Sequence, residues 1–369
     1  MNNNNNNNNN EGFDGSRRRL LLVGMGLGLQ ALLTPTAASA AAALIGPLDQ
    51  PAAMTLRAAH AVLTRVVLAG DRLVAMGERG LVVLSDDGGL QWRQARVPVS
   101  VTLTSASFAD AREGWIAGHS GVVLHTSDGG ENWAVQTDGV ALAKASLAQA
   151  QGLPDTDADR ERSIQEAQRL VDDGADKPLL SICFADAQRG MVVGAFGLAA
   201  ATDDGGKTWT PCRNRLPNPM SFHLYSIARH DKTWVVAGEQ GVLMRSIDDG
   251  NSYESLTSPS ERTLFTATPT QKGGFVCAGL LGAACRIDPG STTVASIQLP
   301  APLTILSCVE LHDGGVMLLA EGGRLLVSHD GGVHFTEQQL PRREPLTSLV
   351  QTADGGLVAT SLAGVARLG

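Results

Sequence analysis

Five carboxylates recur in one chemical setting. Asp87, Asp128, Asp204, Asp248 and Asp330 each stand two residues after a Ser or Thr, run into glycine, and precede Trp92, Trp133, Trp209, Tyr253 or Phe335 by five residues. A carboxylate beside a hydroxyl has three uses: metal ligand, general acid, or acceptor of backbone N–H bonds inside its own turn. Repetition favours the third, because a turn that stabilises itself needs no substrate. The Trp residues then become core aromatics between neighbouring units, and the glycines supply positive φ. Other reactive side chains are sparse. Tyr225 and Tyr253 are the only phenols, and Tyr253 fills the aromatic place of its motif. His119 has no second His at metal-ligand spacing. The five Cys include no CxxC pair, which argues against a zinc module. Cys183 and Cys308 sit in apolar runs and read as buried small residues. Cys277 and Cys285 flank one Gly-Leu-Leu-Gly turn, where a bridge between adjacent strands is conceivable but geometrically awkward. No metal and no cofactor is expected.

The elements that carry these motifs repeat. Motif starts at Ser85, Thr126, Thr202, Ser246, Arg286 and Ser328 advance by 41, 76, 44, 40 and 42 residues. The Arg286 copy keeps Asp and Gly but lacks the aromatic. Glycine pairs precede the first five at Gly77/Gly80, Gly118/Gly121, Gly194/Gly197, Gly238/Gly241 and Gly279/Gly282, with Gly323 in the sixth. Short apolar runs flank each pair, which spells strand, tight turn, strand, second turn. Seven further runs lie upstream, starting at Leu63, Leu103, Leu179, Leu224, Leu264, Leu303 and Leu346. A period near forty with four short strands predicts an all-β, seven-bladed β-propeller spanning residues 54–369. Its last unit ends after three strands, and the segment Met54–Arg57 is expected to close the ring as an outer strand. Thr202 to Trp209 fits the Asp-box, or bacterial neuraminidase repeat, at every defined position.

In a propeller the Asp turns lie on one face, and the glycine-pair turns share the other with the inter-blade connections. The second face also receives the extra residues in the 76-residue step, a helical insertion over about 138–177. It reads as an Ala-rich helix from Val140 to Gln151, then a helix after Pro154. The second helix has Thr156-x-x-Asp159 as a capping box and a stripe of Ile164, Ala167, Leu170 and Val171. The insertion is either a flap over apolar surface or a recognition device. Inter-blade loops bring Arg96, Arg213, Arg215, Arg262, Arg342 and Arg343 to this face, and the glycine turns add Glu78, Arg79, His119, Glu239 and Gln240. An arginine cluster in an acidic protein suits carboxylates or a chain terminus through bidentate bonds. The predicted partner-binding face is Arg96, His119, Arg213, Arg215, Glu239, Gln240, Arg262, Arg342 and Arg343; no residue is assigned a catalytic role.

The first forty residues read as an address. After nine Asn come Arg17–Arg19, an apolar stretch from Leu20 to Leu33, and Ala38-Ser39-Ala40: a secretory signal of Sec or twin-arginine type. Fourteen apolar residues at about 1.5 Å each fall short of a ~30 Å bilayer core, so no permanent transmembrane span is expected. Residues 41–53 read as a linker. The formal net charge of −8 argues against a general nucleic-acid binder, and 43% hydrophobic residues with 42 Gly argue against disorder.

The Asp-box blades, the Gly-x-x-Gly hairpins and the helical insertion resemble the photosystem II stability/assembly factor family over roughly residues 55–369. Close stretches include Phe184-Ala-Asp-Ala-Gln-Arg-Gly-Met-Val-Val-Gly-Ala-Phe-Gly197 and Ala237-Gly-Glu-Gln-Gly241. The resemblance implies a non-enzymatic, monomeric, exported protein in a periplasm or a thylakoid-lumen-like compartment, holding a membrane-associated protein partner. The family's basic patch maps loosely onto the inter-blade arginines. A sialidase-like hydrolase is the alternative; it would need a Tyr nucleophile with a supporting Glu, an acid and an arginine triad, and only Tyr225 is placed to serve. A glycan-binding propeller is the third reading, disfavoured by 5 Trp and 2 Tyr in 369 residues.

Overall fold

The second strand of each blade explains the architecture. Gly114–Gly118, Gly190–Gly194 and Phe275–Gly279 are buried at every residue, because each is covered by a neighbouring blade on both sides. Such strands read as continuous apolar runs without alternation. The computed structural model describes residues 46–340 and 344–368. The signal-peptide reading, residues 41–45 of the linker, and Arg342 and Arg343 lie outside the described residues. Seven antiparallel sheets form, six with four strands and one with three. Their inner strands are Leu63–Ala69, Leu103–Phe108, Leu179–Phe184, Leu224–His230, Leu264–Pro269, Ile305–Glu310 and Leu346–Gln351, numbered here as blades one to seven. Each packs on the inner strands of both flanking blades, and the seventh packs on the first. The chain is an all-β propeller. Blade six starts at Ile305, two residues after the Leu303 run suggests, since Ile305 takes the pairing with Ala320. No helix among the described residues is long and apolar enough to cross a membrane.

The expected closing strand is not formed. Residues 51–55 form no strand and bind blade one instead: the Ala52 amide donates to Val97 O at 3.0 Å, the Thr55 amide to Gln94 Oε1 at 2.8 Å, and Gln94 Nε2 to Ala53 O at 2.9 Å. Met54 and Leu56 point into solvent, so no burial drives a strand there. A short helical turn, Ala58–His60, follows and packs against the last hairpin of blade seven. Blade seven keeps three strands, and side chains close the ring. Thr347 Oγ1 donates to Leu63 O (2.8 Å), and Arg367 Nη1 donates to Gly88 O (2.6 Å). The linker reading also needs correction at 46–53: the Ser100 amide donates to Pro47 O, and Ala52 is buried.

The insertion forms two helices, α1 (Gly139–Gln151) and α2 (Arg160–Asp173), packed on each other. Asp138 caps α1 by accepting the Ala141 amide at 2.8 Å. The expected capping box at Thr156 is absent, because the chain makes a tight turn at Asp157 and α2 begins only at Arg160, with no side-chain cap bond.

Candidate functional site

The repeated aspartates serve their own turns. Asp204 Oδ1 accepts the Thr202 hydroxyl (2.9 Å) and the Thr208 amide (2.9 Å), while Oδ2 accepts the Thr208 hydroxyl (2.7 Å). Asp87, Asp128, Asp248 and Asp330 repeat this pattern with Ser85, Thr126, Ser246 and Ser328. The Thr208 hydroxyl and amide hold the Asp204 carboxyl at about 2; the Ser252 and Ser246 hydroxyls hold Asp248 at about 2. Such groups stay ionised and saturated with donors, which leaves them poor general acids. Trp133 and Trp209 are buried and Trp92 is half-buried. Trp92 Nε1 donates to Gly89 O and Trp133 Nε1 to Gly130 O, but Trp209 Nε1 has no partner among the described residues. No group of three or more His, Cys, Asp or Glu among the described residues is arranged to hold a metal. Cys277 and Cys285 pair directly opposite each other on adjacent strands, and both are free thiols.

Among the described residues, Arg96, Arg213 and Arg215 each engage structure around their own blades. Arg213 binds Glu166 of α2 (3.3 Å) and the Ser221 hydroxyl, so it pins the insertion to blade three. Arg215 donates to Gly250 O in the Asp turn of blade four. The backbone of Arg96 pairs with Glu131 and Trp133, at the end of the blade-two Asp turn. Arg79, His119 and Arg262 keep exposed side chains in or beside the glycine turns. Glu239 Oε2 accepts the His223 amide, and Gln240 is exposed at a turn tip.

What that face does assemble is apolar. Each glycine turn places its third residue in the left-handed region, including Arg79, Ser120, Phe196, Gln240 and Leu281 at φ between 49° and 59°. Phe196 is 50% exposed and Leu281 51%. Leu362, at the corresponding hairpin of blade seven, is 57% exposed. From Phe196 an aromatic path runs inward: its ring meets His223 edge-on at 4.8 Å, and Tyr225 meets Phe265 edge-on at 5.1 Å. Lys177, at the base of the insertion, sits 5.4 Å over the Phe196 ring. The Phe196 amide donates to His223 Nδ1, which leaves the ring proton on Nε2, 3.9 Å from Glu239. The second residue of each inner strand divides the mouth of the central channel. Leu180, Tyr225, Phe265 and Leu306 form an apolar half, and Thr347, Thr64 and Thr104 the other. Those threonines donate to Leu63 O, Leu103 O and Leu179 O of the next blade. Sequence reasoning missed this arc. Reading the seven inner strands as columns would have exposed it.

A family model described as "Photosynthesis system II assembly factor YCF48" matches residues 66–142 and 161–276, just over half of the chain. The chain belongs to this family. The family match breaks inside the insertion and stops within blade five. Among relatives, the chain is 35% identical over 92 residues to "Photosystem II assembly lipoprotein Ycf48" of Synechococcus sp. (strain CC9902), covering 24% of this chain and 28% of that protein. It is 28% identical over 153 residues to "Photosystem II stability/assembly factor HCF136, chloroplastic" of Oryza sativa subsp. japonica, covering 32% and 36%. The chain thus spans about a third of the length of these two relatives. The solved structure "YCF48 bound to D1 peptide" superposes with a TM-score of 0.60 at 16% identity, covering 86% of this chain and 96% of that one, a likeness of fold.

Proposed function

We propose that this family member is an exported, non-catalytic assembly factor whose glycine-turn face holds a protein of a membrane-associated complex. The observation that carries the reading is the set of apolar tips on that face, Phe196, Leu281 and Leu362, each about half exposed. Large apolar side chains held out at turn tips cost hydration free energy unless a partner covers them. A YCF48 structure with a bound D1 peptide supports a peptide or protein as the occupant. Export rests on the leader read in residues 17–40, and its route stays either Sec or twin-arginine. The hydrolase alternative has one candidate nucleophile, Tyr225. Burial and the nearby Glu239 charge raise the Tyr225 pKa, whereas a phenolate nucleophile needs it lowered.

Phe196→Asp with Leu281→Asp tests the reading, since Asp tolerates the left-handed backbone of both sites. Solubilised membranes of the source cell are passed over the native protein, over this double variant, and over Leu90→Asp on the Asp-turn face. At least a tenfold loss of partner recovery is expected in the double variant alone. Equal recovery by all three would discard this face. Arg213→Ala is a weaker probe, because it also frees the insertion from blade three.

A further inference from the structure

We propose that the glycine-turn mouth of the central channel is a carboxylate-binding site, in which the Arg65 guanidinium takes the anion and Tyr225, Phe265 and Leu306 seat the ligand's apolar body. The argument begins with a broken pattern. At the third position of the inner strands six blades carry a buried hydroxyl: Ser105, Ser181, Ser226, Thr266, Ser307 and Ser348. Four of these bind the following blade: Ser105, Ser181, Ser226 and Ser348 accept the amides of Ile182, Ile227, Ala267 and Val66 at 3.0–3.5 Å. Blade one has Arg65 instead, so Ala106 takes no such bond among the described residues. A small side chain that ties two blades together has been exchanged for a long cation.

That cation has no partner among the described residues. No described residue hydrogen-bonds or ion-pairs the Arg65 guanidinium, although the side chain is partly buried and burial lowers its pKa. It occupies the inner-strand position from which four of those hydroxyls reach the next blade's inner strand, on the channel wall, and Cys308 in blade six, two blades away around the ring, lies near enough to feel its charge. Cys308 offers no anion in return, because burial pushes its thiol up to about 12. A desolvated arginine that remains charged and unpaired is costly to the fold and is compensated when an anion binds. The mouth selects the anion. Arg65 is the one cationic side chain in the first five positions of the seven inner strands. The three threonine hydroxyls beside it already donate to backbone carbonyls. One fork-shaped donor with no second charge suits a single carboxylate better than a dianionic phosphate. The opposite half of the same rim is Tyr225, Phe265 and Leu306, about one residue nearer the opening, which suits an aryl or branched aliphatic group. Its test uses small acids with no protein partner, so its failure is distinguishable from failure of the turn-tip reading.

The purified protein is titrated with sodium 3-phenylpropionate, with N-acetylphenylalanine, and with the neutral amide of each, following the melting temperature and the heat of binding. Saturable one-to-one binding and a raised melting temperature are expected with the acids, and neither with the amides. Arg65→Ser restores the hydroxyl found in the other blades. It is expected to melt at or above the native temperature without ligand and to bind the acids at least tenfold more weakly. Phe265→Ala is expected to weaken the acids while leaving acetate binding unchanged. A stronger response to N-acetylphenylalanine than to phenylpropionate assigns the site to a peptide chain end, and an equal response assigns it to free acids. Undiminished acid binding by Arg65→Ser, or equal binding of acids and amides, overturns the proposal.

Discussion

At the scale of single residues, Asp204 shows how a reactive group is spent on structure. Its carboxyl is exposed to solvent, yet donors from Thr208 and Thr202 hold its pKa at about 2 against an ordinary 3.8. A carboxyl depressed in the folded state contributes stability that is complete above its unfolded value and is lost as pH falls through the folded one. The urea midpoint of the native protein is therefore expected to fall between about pH 4 and pH 2. In Asp204→Asn the midpoint should be lower at pH 7, and its gap from the native value should close by about pH 2. A gap that stays constant with pH would mean the carboxylate charge contributes nothing. This role was legible from the Ser/Thr-x-Asp-x-Gly spacing, because the motif is local and its partners lie within four residues. The fates of Arg213 and Arg215 were not legible. Their partners, Glu166 and Gly250, lie 47 and 35 residues away, and only folding brings them close.

Elements repeat less evenly than motifs. Blades two and three share the run Phe-Ala-Asp-Ala-x-x-Gly at Phe108–Gly114 and Phe184–Gly190. In both, Asp110 or Asp186 accepts the two amides that close the inner hairpin, and the Phe ring meets the blade's Trp edge-on at 6.1 or 6.0 Å. Gly114 and Gly190 leave the space those rings fill, since a Cβ at either would lie within 2.5 Å of the ring. The insertion depends on similar clearance. At Gly121, φ is +66°, and a Cβ would approach Gly139 Cα at 2.5 Å. Gly121→Ala should therefore lift the start of α1 from the blade-two turn at a cost of more than about 1 kcal/mol. Limited proteolysis between α1 and α2 should then run several-fold faster than in the native chain; an unchanged rate would show that the helix pair docks without that contact. Both helices were foreseen from periodicity and composition. The α2 cap was misjudged because Asp157 accepts the Asp159 amide in a turn ahead of the helix, and helix-start patterns do not rank Asp157 against Thr156.

For the whole molecule the decisive step is closure. Without a shared strand, the ring is held where blade seven meets blade one and the helical turn Ala58–His60. Gly364 sits at that junction with φ +115°, and a Cβ there would lie 2.0 Å from Ala59 O. Gly364→Ala should push the helical turn off the last hairpin and destabilise the protein by more than about 1 kcal/mol. A deletion of residues 46–60 should lose much of that sensitivity, because the clash needs both parts. Thermal melts of the single and combined variants check this; additive effects would mean that the helical turn takes no part in closure. The channel mouth belongs to this scale too. Its apolar half, its threonine half and Arg65 come from seven separate repeats, each unremarkable when read alone.

By itself the sequence determined the number of blades, the all-β class, the family and the structural duty of the aspartates. All of these follow from short-range patterns repeated along the chain, and repetition multiplies a weak local signal. Only the tertiary structure decided how the ring closes, which arginines are spent on packing, and which side chains share a face. Those outcomes depend on contacts between blades, where one strand's side chains meet residues forty or more positions away. The −8 net charge left room for a basic face set apart from the acidic turns; among the described residues that face carries Phe196, Leu281 and Leu362 as exposed tips beside exposed Arg79, His119 and Arg262.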